Sequence, residues 1–379
     1  MRIGVYVPAV EPAAGGAHTF VTSVLDVLAR AGGAHTFVVL YRGAPPLPGD
    51  STLRTVRLAE PASPLETTLD DAVRAEQLEL VWFPTPDYEP VTVPFVATVW
   101  DLEHRNQPYF PEVSVSGWDW EERELFYRST LPRAALVLTG TEEGRRQIRD
   151  YYGVREERIA IAPFPAPSFT PVELAPIDLV QTVGPLPEPY LFYPAQFWPH
   201  KNHVALLLAL RRLTDEGLRL GAVFTGADKG NLAHVEATVA ELGLAEQVRF
   251  LGFVERRTLV ALYRGALALA FPSFFGPDNL PPLEAFALGC PVVAAAVPGA
   301  AELYGDAALL FDPRDANELA ATLRRLHDDA ALRTRLVAAG HTRSGSWTPS
   351  GYVRCVVERL DDFARIRRCW SSRERYVHL

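Results

Sequence analysis

Residues 271–293 read FPSFFGPDNLPPLEAFALGCPVV, and the organisation of the whole chain follows from them. An apolar run, GALALAF at 265–271, leads in as a buried strand. A loop follows at 272–279, with Gly276-Pro277 and Asp278-Asn279 as its breakers. Pro281 and Pro282 suit the first turn of a helix, where a missing N–H costs nothing. The spacing predicts a short helix over 283–288, stopped by Gly289, and the next buried strand from 290. Strand, loop and amide-rich helix start together form an anion site at the carboxyl edge of a parallel sheet. Glu284 is expected in the first helical turn, where an acid is favoured by the dipole. It is either a helix-capping charge or a carboxylate aimed at ligand hydroxyls.

Either side of this stretch the same alternation recurs. Strand-like runs lie at 3–7, 36–41, 53–58, 78–83, 95–100, 136–139 and 158–161, with helical patterns between several of them, including 19–30, 65–76 and 118–133. That is the signature of a doubly wound α/β domain. The stretch 163–189 carries eight prolines, little periodicity, and reads as a stiff linker. The pattern then restarts with strands at 190–194, 221–225, 248–251 and 308–311, and helices at 202–213, 232–242, 257–264 and 316–327. The expected division is a first domain over 1–165, a linker over 166–189, a second domain over 190–345, and a helical tail in 346–379.

At 379 residues the chain holds two domains of ordinary size. A net charge of −9 argues against nucleic acid as a partner, and limits any membrane association to a peripheral one. Cys290, Cys355 and Cys369 have neither zinc-site spacing nor the density of a disulfide framework, which fits a reducing cytoplasm. The opening MRIGVYVP is a strand pattern rather than a signal peptide. Gly289, Pro291, Pro298 and Gly299 break the longest apolar stretch, so no membrane span is expected.

Candidate functional residues cluster where strands end. Gly15-Gly16 precedes a helix and either admits a ligand close to the backbone or simply makes a flexible turn. Asp101 and His104 follow the strand at 95–100, before an aromatic loop at 107–112. They either position a substrate hydroxyl or serve as a turn cap and a surface histidine. Lys201, in AQFWPHKNH, sits at a strand-to-helix turn, where a cation is mildly unfavourable and can offset a diphosphate without metal. His200 and His203 flank it without a third ligand at any recognisable spacing, so no metal site is expected. There is no Asp-x-Asp pair either.

Taken together, the strand-turn-lysine, LPPLEA at 280–285, ALGCPVVA and YPAQFWPHKN resemble the GT-B glycosyltransferases. Within them the chain is similar to the large retaining group called family 4, or glycosyl transferases group 1, and to its mannosyl- and rhamnosyltransferase-like members. The resemblance is strongest over 190–325. It implies two Rossmann-like domains with a cleft between them, the tail helix crossing back to the first domain, and transfer of a hexose from a nucleotide-diphosphate sugar to an acceptor hydroxyl. The acceptor is a glycan, a lipid-linked molecule or a natural product, and no cofactor is implied. By the same resemblance Glu284 holds the ribose hydroxyls and Lys201 neutralises the diphosphate. Asn279, Leu280 and Pro281 lie at the donor sugar or phosphate, Gly15 and Gly16 face the phosphates, and His104 lines the sugar and acceptor. Thr225 and Gly226 lie in the donor site, and Phe253 and Val254 bracket the base. Two positions depart from the pattern. Gly276 stands where the first glutamate of E-x7-E belongs, and Gln196 replaces the diphosphate arginine. Asp278 and Asn279 are the candidates to replace the missing sugar contacts. No side chain stands out as a covalent nucleophile. Rival readings are a nucleotide-sugar binder that transfers nothing, and a different reaction on the same fold.

Overall fold

The computed structural model describes residues 1–9, 16–30, 33–47, 51–59, 68–114, 119–276 and 280–370. Contacts divide the chain into two units. The first comprises Met1–Leu102, Glu121–Pro165 and the chain from Pro349; the second comprises Glu103–Trp120 and Ala166–Thr348.

The first unit is built on seven parallel strands. They are β1 (Arg2–Val7), β2 (Thr36–Tyr41), β3 (Arg54–Arg57), β4 (Leu80–Trp82), β5 (Phe95–Thr98), β6 (Leu136–Thr139) and β7 (Ile159–Ile161). Their order in the sheet is β3-β2-β1-β4-β5-β6-β7. The central strands are almost wholly buried, as continuous apolar runs covered on both faces must be. Helices Gly16–Arg30 and Pro349–Arg367 pack together in this unit. Tyr352 anchors the second of them, edge-on to Phe20 at 5.2 Å and stacked on Trp82 at 6.4 Å.

The second unit repeats the plan with six parallel strands. They are β8 (Tyr190–Pro194), β9 (Gly221–Thr225), β10 (Val248–Phe250), β11 (Ala268–Phe271), β12 (Val292–Ala295) and β13 (Ala308–Phe311). Their order is β10-β9-β8-β11-β12-β13. Each unit is thus a doubly wound α/β sheet, as the alternation of apolar runs implied. In each sheet the strand order reverses beside the first strand, between β1 and β4 and between β8 and β11. Crevices for ligands open at the carboxyl ends of such strands.

Several local expectations change. The helix after β11 begins at Leu280, not 283, because both prolines fit inside its first turn. Glu284 is therefore its fifth residue, beyond the first turn, and the capping role does not apply. The proline-rich stretch is not bare linker. Thr170 and Glu173 form a capping box for the short helix Pro171–Leu174, and Leu179–Val183 forms another. Both pack on helix Arg256–Gly265, through the Glu173–Arg256 ion pair and an Arg264 bond to the Leu174 carbonyl. Helix Ala330–Ser346 was not anticipated; it packs against helix Leu280–Leu288. Gly340 permits that approach, since a Cβ there would stand 2.9 Å from the Phe286 ring. Among the described residues no helix is long and apolar enough to cross a membrane.

Because Tyr352 is the aromatic that seats the C-terminal helix, Tyr352→Ala should cost about 3–5 kcal/mol. Urea unfolding followed by circular dichroism would show it as an earlier transition.

Candidate functional site

The site is assembled at the β8/β11 switch point of the second sheet. Beyond β8 the chain makes a tight excursion, a 3-10 turn Pro199–Lys201, before helix His203–Asp215. Asn202 closes the turn in the left-handed region, with φ of 54°. Its side-chain amide donates to the Pro272 carbonyl at 3.1 Å and the Pro313 carbonyl at 2.8 Å. One side chain thereby joins the loops that follow β8, β11 and β13.

Lys201 is buried, with its ammonium 5.6 Å from the centre of the Phe271 ring at the end of β11. Its carbonyl accepts from the buried Tyr193 hydroxyl at 2.8 Å. The turn is thus held by the sheet, not by solvent. His203, next but one along, is fully buried and lies flat on Phe197 at 4.6 Å. Among the described residues neither of its ring nitrogens has a hydrogen-bond partner. Burial, and then the charges of Lys201 and His200, push its pKa down to about 3.

Across the switch point, helix Leu280–Leu288 carries Glu284, also buried. The Tyr263 hydroxyl donates to its Oε2 at 2.8 Å and to the Pro281 carbonyl at 3.2 Å. The other carboxylate oxygen takes no hydrogen bond from the described residues. Burial holds this carboxyl above its usual range, against the opposing pull of Tyr263 and Arg256. Leu280 and Pro281 form the half-buried start of the helix.

The remaining second-unit candidates line the same edge. Ala195 N–H donates to Thr225 O at 2.9 Å, and Gly226 N–H to Gly252 O at 2.8 Å. Gly226 is required as glycine: with φ of 144°, an added Cβ would stand 2.3 Å from the Ala195 carbonyl oxygen. That close approach sets the path of Gln196, whose side-chain oxygen accepts from the Trp198 indole at 3.0 Å. Phe253 is 72% exposed beyond β10, beside the half-buried Val254.

Other candidates lie elsewhere. Gly15, Asp278 and Asn279 fall outside the described residues. Gly16 opens the first-unit helix after β1. Asp101, also in the first unit, accepts from the buried guanidinium of Arg123. Burial alone would lower the Arg123 pKa, but Asp101 and Tyr127 beside it raise it overall. Asp101 therefore anchors the turn after β5. His104 is not a surface histidine: it is fully buried in the second unit, 6.1 Å from the Trp120 ring. Among the described residues no cluster of three or more His, Cys, Asp or Glu is arranged to hold a metal ion.

Sequence reasoning passed over three contributors. Tyr263, which holds Glu284, reads only as a helix residue. Asn202 carried a signal, a non-glycine between a 3-10 turn and a helix. Glu112, whose carboxylate binds His200, lies in the aromatic loop and showed no motif.

Against known proteins, residues 179–343 match the family model described as glycosyl transferases group 1. O-antigen chain mannosyltransferase B of Escherichia coli is 30% identical over 245 residues, covering 63% of each chain. D-inositol 3-phosphate glycosyltransferase of Nocardia farcinica is 30% identical over 257 residues, 64% of this chain and 56% of that one. The matched stretch thus spans less than two thirds of either relative. Among solved structures, sucrose-phosphate synthase of Thermosynechococcus elongatus superposes with a TM-score of 0.74 at 21% identity, over 96% of this chain and 99% of that one. The Anabaena protein HepE, in complex with UDP and glucose, gives 0.72 at 17% identity, over 95% and 99%. These likenesses are of fold. Two doubly wound parallel sheets of this order make the protein a GT-B structure. Its second unit carries a domain of the glycosyl transferases group 1 family, over residues 179–343.

Two consequences for stability follow from the buried titratable groups. The folded state resists protonating His203, so the unfolded chain binds the extra proton as pH falls below about 6.5, and stability drops by about 1.4 kcal/mol per unit. His203→Phe keeps the stack on Phe197 and should lose about 2 kcal/mol less than wild type between pH 7 and 5 in urea titrations. Glu284 works the other way. Its raised pKa makes the folded state hold the proton longer, so its contribution worsens as pH rises above the unfolded value. Glu284→Gln should therefore melt no lower than wild type at pH 8, with its advantage shrinking at pH 5.

Proposed function

We propose that the protein is a retaining, metal-independent glycosyltransferase of family 4. It moves a hexose from a nucleoside-diphosphate sugar to an acceptor hydroxyl of a glycan, a lipid-linked molecule or a natural product, and works in the cytoplasm. The observation that carries this reading is that buried Lys201, in the turn after β8, and buried Glu284, in the helix after β11, flank one switch point. A buried ammonium and a buried carboxylate at one sheet edge suit a ligand that carries both phosphate and hydroxyls. A lysine ammonium is a compact charge suited to a diphosphate, and a carboxylate accepts from ribose hydroxyls. Pro281 and Pro282 carry no N–H, so in its first turn helix Leu280–Leu288 adds only the amides of Leu280 and Leu283 to the electrostatic hold on phosphate. Phe253 offers an exposed ring on which a base can stack. The names of the relatives, a mannosyltransferase and an inositol phosphate glycosyltransferase, agree with a hexose donor.

In the reaction, the acceptor oxygen bonds to the anomeric carbon on the face from which the diphosphate leaves. The bond from that carbon to the diphosphate oxygen breaks, and the acceptor proton passes to the departing phosphate. Lys201 stabilises the charge that develops there, an electrostatic role.

A second reading, a nucleotide-sugar-binding protein without turnover, is favoured by Gly276 and Gln196, which replace an acid and a cation. Calorimetry against UDP, GDP, dTDP and their hexose conjugates should show selective binding of one nucleotide. Lys201→Ala and Glu284→Ala should each weaken it about 10–100-fold. Release of nucleoside diphosphate only when an acceptor is present supports transfer. Binding without release supports the second reading, and no binding at all rejects both.

A further inference from the structure

We propose that Glu112 is a positioning residue of the donor site, acting through His200 on the turn that presents Lys201. The inference rests on the donor-site reading given above. Glu112 stands in the one-turn helix Pro111–Ser114, within the segment Glu103–Trp120 that belongs to the second unit. A single carboxylate oxygen, Oε1, accepts from the His200 backbone N–H at 2.8 Å and makes a close contact with Nδ1 of the same residue. Both side chains are over nine-tenths buried. The imidazole lies flat on Phe275, with centroids 3.9 Å apart and planes 12° apart, and edge-on to Phe110 at 6.4 Å.

What makes this more than local packing is the continuation of the chain of contacts. The His200 carbonyl accepts from Phe274 N–H at 2.9 Å and from the Ser273 hydroxyl at 3.4 Å. Gln107 donates from its amide to the Phe274 carbonyl at 2.9 Å. His200 is thus gripped by Glu112 on one side and by the loop after β11 on the other, and Lys201 is the next residue. The Lys201 N–H bonds back to Trp198 O at 3.1 Å, so the ammonium's stem starts from a backbone with little freedom. Glu112 also stays ionised: burial pushes its carboxyl up, but the His200 ring and backbone N–H pull it below the usual range. A charge-assisted pair of bonds to one residue resists displacement far better than a neutral contact. Removing it takes away one of the holds on the Pro199–Lys201 turn, leaving those of Tyr193 and Asn202 in place.

The test separates phosphate recognition from everything else. Affinities of wild type, Glu112→Ala, Lys201→Ala and the double variant are measured for UDP, GDP and dTDP and for the matching nucleosides. For the diphosphate that wild type binds, Glu112→Ala should lose about tenfold in affinity, with nucleoside affinity unchanged within about twofold. In the Lys201→Ala background the Glu112 substitution should cost nothing further, because it acts through that lysine. Glu112→Gln, which still offers an oxygen to the His200 N–H, should fold like wild type and fall between the two. It also carries the test if the alanine variant unfolds. Losses that multiply in the double variant, or equal losses for nucleoside and diphosphate, overturn the positioning role. A wild type that binds none of the nucleotides overturns the donor-site reading and this inference with it.

Discussion

Everything at the β8/β11 edge depends on one side chain, the Asn202 amide that spans the carbonyls of Pro272 and Pro313. Parallel strands hydrogen-bond to each other along their length, but nothing in a sheet ties together the loops beyond their carboxyl ends. Here the loops after β8, β11 and β13 carry the lysine, the approach to the Glu284 helix and the end of the sheet. Left to themselves they would sample many conformations, and ordering them costs about 1–2 kcal/mol per residue. Asn202 meets part of that cost with two bonds from one group, and does so from a left-handed backbone that asparagine tolerates better than most residues. The turn is therefore specified from both its ends, by Tyr193 below and Asn202 above.

How much of this could be read from the sequence depends on the range of the interaction. Parallel strands buried on both faces show as unbroken apolar runs, so β6 and β9 were found to the residue and the doubly wound order followed. Lys201 and Glu284 were legible because each sits inside a contiguous motif. Glu112 was not, since its partner is 88 residues away and nothing near it in the chain marks the bond. Asp101 was singled out for its place at a strand end, but its binding of Arg123, 22 residues on, could not be foreseen. Helix Ala330–Ser346 escaped notice because its small residues, Gly340 among them, carry almost no apolar stripe. Their value lies in closeness to Phe286.

The proline-rich stretch shows a further limit. Prolines fix φ and remove donors, so they suppress the periodic signal even where the chain is packed. Thr170 and Glu173 were a capping-box spacing on the page, T-x-x-E with proline first in the helix. The arginines that fasten this stretch come from a helix more than 80 residues later, so composition alone reads as linker.

The chain is acidic overall, at −9, yet at this edge His200 and Lys201 stand side by side before the amides that open helix His203–Asp215, with Glu112 binding the first of them. A cation at a helix start opposes the macrodipole, and burying it compounds the cost. Burial first, and Lys201 and His200 after it, hold His203 neutral. A fold under selection for stability alone would not collect these groups or bury a carboxylate across the crevice from them. Local rules are broken where a ligand restores the balance. Under the proposed donor-site reading, a diphosphate would meet the lysine and the helix start together, and ribose hydroxyls the second oxygen of Glu284, so the proposed ligand answers the groups that the fold gathers at this edge.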